Sequence, residues 1–181
     1  RTRLVWIGLA AIPAALVIGT TAHLSTDVAA VPMLWVIPLA VYLATFILAF
    51  AGRRPIGLRV ADTLLPPLSI GVVISLIGGV AIPLWLRFGV DLGALGCAGL
   101  VCHGRLSLAR PIPERLTEYD LGIAAGGSLG GLLAGIVAPL VLVVPLEGQI
   151  ALVLALAVRS GARWSGERGP SAAEASARDV S

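Results

Sequence analysis

Of 181 residues, 57% are hydrophobic and 13% are charged, with a mean hydropathy of +0.97. A soluble domain carries roughly 25% charged residues, so this chain cannot cover a water-facing surface, and its solvent is lipid. All 13 basic residues are arginine and are scattered among loops, so the net charge of +3 is no footprint of nucleic-acid binding.

The composition predicts an all-α, polytopic helical bundle of five to six transmembrane segments over residues 1–159, and a disordered polar tail over 160–181. The chain opens on Arg1 rather than Met, as expected of a processed chain or a fragment. Residues 1–22 have the layout of a secretory signal peptide: a basic start, an apolar run and small residues. Further apolar runs follow, so Leu4 to Thr20 reads as the first transmembrane helix.

The first loop reads TTAHLSTDVAAVP. His23 and Asp27 are four apart, and one helical turn puts them on one face, where they could relay protons or hold a cationic group. The competing reading is that Ser25, Thr26 or Asp27 caps segment two, with the acid favoured by the helix dipole. Segment two spans Val31 to Ala51, with Trp35 and Tyr42 as interface anchors and Arg53 and Arg54 as its stop. Pro38 inside it is expected to break a backbone hydrogen bond and kink the helix.

Segment three covers about Leu64 to Leu86, and segment four about Phe88 to Cys102. Gly93, Gly96 and Gly99 read as packing positions. Cys97 and Cys102 lie five apart, about 140° around a helix, and with one histidine beside them they form no zinc pattern. No metal or cofactor is expected.

A charged hinge follows, HGRLSLARPIPERLTEYD. Pro111 and Pro113 stop the helix, Thr117 fits an N-cap, and Asp120 three residues later completes a variant capping box. His103 and Glu118 are kept as candidates for a substrate or ion path, against capping and topology as the plainer explanation. Segment five, Tyr119 to about Val144, carries two rows of small residues at intervals of four: Gly122, Gly126, Gly130, Ala134 and Ala138, and Gly127, Gly131 and Gly135. Such rows let a second helix approach closely. GGSLGG is no phosphate loop, because no strand precedes it and no lysine follows.

Glu147 stands between two apolar runs, at an outer interface or as a buried partner for an arginine. The last run, Ile150 to Val158, is too short alone to cross a core about 30 Å thick. With the N-terminus inside and six crossings, twelve arginines fall inside and only Arg87 outside, so both termini are expected in the cytoplasm.

Two blocks resemble the membrane domain of bacterial fused MFS/spermidine synthase-like proteins. One runs from Trp6 to Ala51. The other holds Cys102-His103-Gly104, Arg110-Pro111, Leu116-Thr117-Glu118-Tyr119, Gly126-Gly127, Gly130-Gly131 and Ala138-Pro139. Together they cover roughly half the chain. The resemblance implies an MFS-like bundle in the bacterial inner membrane, anchoring or serving a spermidine synthase-like soluble domain in a polyamine-linked, transport-like role. Arg105 stands where the family usually has an acid, which puts any family role for that acid in doubt here. The synthase portion is absent, and the chain reads as the middle of such a protein or as a shortened relative.

Two further readings stand beside it. One is a stand-alone small-molecule or cation transporter fragment with His23, Asp27 and Glu147 along its path. The other, an intramembrane enzyme using His103 and nearby acids, is the weakest, since no nucleophile–base–orienter trio is visible. The bilayer, other membrane helices and a synthase-like domain are the expected partners.

Overall fold

The computed structural model of the protein describes residues 2–27, 33–52, 55, 57–78, 82–142 and 146–167, with the backbone alone for Thr26, Asp27 and residues 161–167. Every regular element among them is helical. In order they are α1 (Thr2–Asp27), α2 (Val36–Phe50), α3 (Leu58–Gly78), α4 (Leu84–Leu108), α5 (Leu116–Leu132), α6 (Ala138–Val141) and α7 (Glu147–Glu167). A 3-10 turn, Pro113–Arg115, leads into α5, and a π turn, Leu133–Val137, joins α5 to α6. Four stretches are long and apolar enough to cross a membrane: Thr2–Ser25, Leu58–Gly78, Leu84–Leu108 and Pro113–Val141.

α1 and α4 form the centre. α1 packs against α5, α7 and α4, while α4 also holds α2 and α3. Their buried side chains share one core, with Ile12 and Leu16 of α1 meeting Leu95, Ala98 and Val101 of α4. The outer faces stay apolar and exposed: Leu43 and Ile47 of α2, Ile70 and Ile77 of α3, Leu121 and Leu132 of α5. In water such faces are association hazards; in lipid they are matched to their solvent.

Lipid gives no hydrophobic drive to helix pairing, so close contact between backbones matters most. The row Gly122, Gly126, Gly130 and Ala134 supplies it. A Cβ on Gly126 would run into the Ile7 carbonyl, and one on Gly130 would lie 2.8 Å from Ala11 Cα. The second row behaves differently. Gly127 has open space before it, and Gly131 and Gly135 face only the end of the Ile18 side chain, at 3.6 and 3.8 Å. On α4, Gly93 faces Leu68, Gly96 faces Val41 and Gly99 faces Thr45, so glycines three apart receive α3 and α2.

Several boundaries move from those expected. α3 begins at Leu58 and α4 runs on through Leu108, because Asp62 and Arg105 neutralise each other inside the bundle; α3 ends at Gly78 and α4 begins at Leu84. Hydropathy stops a segment at such charges. Pro38 falls in the first turn of α2, where no backbone N–H is needed, so the expected kink has no cause there. Thr117 lies inside α5 with Arg115 at the N-cap position and no side-chain cap bond, since the 3-10 turn starts the helix instead of a capping box. Likewise Ser25 lies within α1, where its hydroxyl donates to the Thr21 carbonyl, and α2 starts only at Val36, so Ser25, Thr26 and Asp27 do not cap it. Pro139 explains the π turn: it has no N–H for the Gly135 carbonyl, and its ring crowds that carbonyl, so the hydrogen-bond register widens just before it.

α7 is longer than the apolar run Ile150 to Val158, reaching back to Glu147 and on to Glu167. The tail expectation therefore falls partly on α7, and residues 168–181 lie outside the described residues, as do the stop residues Arg53 and Arg54.

Candidate functional site

The alternation of helices gives the bundle two ends. At one end the start of α1, the start of α5 and the close of α4 meet. Trp6 stacks edge-on against Tyr119 with ring centroids 5.2 Å apart, and the Tyr119 hydroxyl donates to the Leu106 carbonyl at 2.6 Å. Glu118 ties this corner together by pairing with Arg3 of α1 and with Arg115, the latter at 3.1 Å. Glu118 is thus a clamp between α1 and the start of α5 rather than a wall of a path.

His103 belongs to the same end. Its ring is 1% exposed and lies edge-on to Tyr42 and Phe46, with centroids 5.2 Å away in each case. Its Nδ1 lies 3.1 Å from the Thr45 hydroxyl, and the close approach at Gly99 brings Thr45 within reach. Tyr42, expected as an interface anchor, packs on His103 instead, while Trp35 is exposed at the start of α2. Arg105, one turn from Cys102, points elsewhere: its Nη2 donates to Asp62 Oδ1 at 3.3 Å and to the Arg159 carbonyl at 3.2 Å, joining α4 to α3 and α7. The expected hinge beginning at Cys102 is therefore narrower. Cys102, His103 and Arg105 are helical, and only Ala109 to Ile112 separate α4 from the 3-10 turn.

The other end holds the feature with the clearest chemistry. His23 Nε2 of α1 lies 3.7 Å from Asp91 Oδ2 of α4, with side-chain exposures of 17% and 6%. Thr20, Gln149 and Gly148 line a cavity of about 30 Å³ beside the pair. That volume holds a water molecule but nothing much larger. The pair forms because α1 and α7 come very close at Gly19 and Gly148, where a Cβ on Gly19 would lie 2.6 Å from the Gly148 nitrogen. With α7 drawn in, α1 turns His23 towards α4.

The acid facing His23 is thus Asp91, a residue absent from the sequence-level candidates. An isolated charge in the apolar run FGVDLGALG was the signal that could have found it. Asp27 ends α1, and its side chain is outside the described residues. Glu147 starts α7, nine-tenths buried, beside an apolar cavity of about 190 Å³ that is separate from the His23–Asp91 pair. The candidates therefore do not converge: His23 and Glu147 lie at one end, His103 and Glu118 at the other.

No protein family, no curated protein and no solved structure matches this chain.

Proposed function

We infer that this chain is an integral membrane module with a transport-like role, in which His23 and Asp91 bind a proton or a small cation. The buried pairing of these two residues across the central helices carries the reading. An ionisable side chain within a membrane helix is costly, and one that faces the bundle interior marks an ion or proton path by default. At 3.7 Å the imidazole and the carboxylate are just beyond direct hydrogen-bond reach, and a water in the adjoining cavity can bridge them and link them to Gln149 and Thr20. The cavity is too small to enclose a polyamine, so the His23–Asp91 pair does not itself hold one.

A second reading is favoured by the two sequence blocks already described: the module anchors a spermidine synthase-like domain. Arg3, Arg59, Arg105, Arg110, Arg115 and Arg159 lie towards the end that holds the Arg3–Glu118 clamp, and Arg87 lies at the other. This asymmetry supports an orientation with the arginine-rich end in the bacterial cytoplasm, together with both termini. A six-crossing, MFS-like bundle would need the 15-residue α2 and also α7 to cross beside the four long apolar stretches.

Reconstitution into liposomes separates the readings. A pH-sensitive dye inside the vesicles should report proton or cation-coupled flux for the native chain, lost in Asp91→Asn. Native flux no greater than that of empty vesicles, from folded protein, rules out transport and leaves anchoring. Spermidine uptake in the same vesicles tests the polyamine link. Cysteine labelling of the arginine-rich end from the periplasm would overturn the orientation.

A further inference from the structure

Where α3, α4 and α7 meet, two arginines share one carboxylate. Arg105 Nη2 donates to Asp62 Oδ1 at 3.3 Å and to the Arg159 carbonyl at 3.2 Å. Asp62 neutralises one guanidinium, which leaves the corner one positive charge in excess, and the Arg105 and Arg159 charges repel each other. Two donors are left over as well. Arg105 Nη1 and Arg159 Nε are both buried, and neither has a hydrogen-bond partner among the described residues. A buried N–H on a charged group is costly without an acceptor. Open space lies close by. Arg59 and Leu108, one turn from Asp62 and Arg105 on their own helices, line a groove of about 470 Å³ at the same end of the bundle. Arg105 and Arg159 are only half-buried as residues, so a turn of the long Arg159 side chain presents its donor towards this end.

We propose that this corner binds a phosphate group, one oxygen on Arg105 Nη1 and another on Arg159 Nε. The excess charge selects an anion, and two donors on different helices select one with several acceptor oxygens over chloride. The depth favours phosphate. Arg105 lies one turn from the end of α4, about 5 Å at about 1.5 Å per residue, and the polar layer on each side of the hydrocarbon core is about 5–7 Å deep. Lipid phosphates lie in that layer, and soluble phosphate esters reach it from the water. The site is at the opposite end from the His23–Asp91 pair, so either can fail without the other.

Equilibrium dialysis of radiolabelled inorganic phosphate against the full chain in maltoside micelles, which contain no phosphate, tests the proposal, with empty micelles as the blank. Saturable binding is expected, weakened at least tenfold by Arg159→Gln. Asp62→Asn, which removes the competing carboxylate, should tighten it at least threefold, and Asp91→Asn should leave it unchanged. Phosphatidylglycerol should displace the label, whereas diacylglycerol and chloride should not. Displacement by phosphatidylglycerol at concentrations well below those of glycerol phosphate identifies a lipid headgroup as the occupant; equal potency identifies a soluble phosphate ester. Absence of saturable binding by the folded chain, native affinity in Arg159→Gln, weaker binding in Asp62→Asn, or equal displacement by acetate overturns the assignment and leaves the two donors to water.

Discussion

Gly126 and Gly127 are neighbours on one helix, yet alanine should act in opposite directions at the two positions. At Gly126 the new methyl would meet Ala10 Cβ at 2.8 Å and collide with the Ile7 carbonyl. Unstrained carbon contacts lie at about 3.5–4.0 Å, so α1 and α5 must part by about 1 Å. The obstacle is largely backbone and cannot swing aside as a side chain can. Overpacking of this kind costs roughly 1–3 kcal/mol. At Gly127 nothing lies within 4 Å of the added methyl, and alanine's better helix propensity favours the fold by up to about 1 kcal/mol. Steric-trap unfolding in bicelles gives both values. Gly126→Ala should be destabilised and Gly127→Ala neutral or stabilised. Similar losses in the two variants, or a neutral Gly126→Ala, would refute the assignment of a single tight row. Gly130→Ala, whose methyl would face Ala11 Cα at 2.8 Å, should resemble Gly126→Ala, and the double variant should lose less than the sum, because helices already separated accommodate the second methyl.

Arg105→Met should destabilise the bundle by about 2 kcal/mol, below the 3–5 kcal/mol of a fully buried pair because Asp62 keeps partial exposure; adding Asp62→Asn should restore part of the loss in the same unfolding assay. Tyr119→Phe keeps the edge-on contact with Trp6 but loses the bond to the Leu106 carbonyl, for an expected cost of about 1 kcal/mol, and an unchanged unfolding midpoint would discount that bond. Thr45→Val should cost about 1 kcal/mol by leaving His103 Nδ1 without its hydroxyl partner, read as a lower thermal midpoint together with a shifted imidazole resonance in NMR.

Composition and local spacing determined a good deal about this protein. Scarce charge and long apolar runs require a lipid solvent and helical structure, since only helices or closed barrels satisfy the backbone there. Glycines at intervals of four in segment five mark a surface for close helix contact, because that periodicity is a property of a single helix. Two such rows read alike in sequence, and the fold alone chose between them: α1 lies on the row containing Gly126, while Gly127 meets open space. Charges were legible as residues but not as pairs. Asp62 and Arg105 look like the ends of spans until each neutralises the other, after which α3 and α4 both lengthen. His23 suggested Asp27 by proximity along the chain, whereas the approach of α1 to α7 at Gly19 and Gly148 turns it towards Asp91. Partnership between distant residues depends on which helix faces turn inward, and packing of the whole bundle decides that rather than any local stretch of sequence.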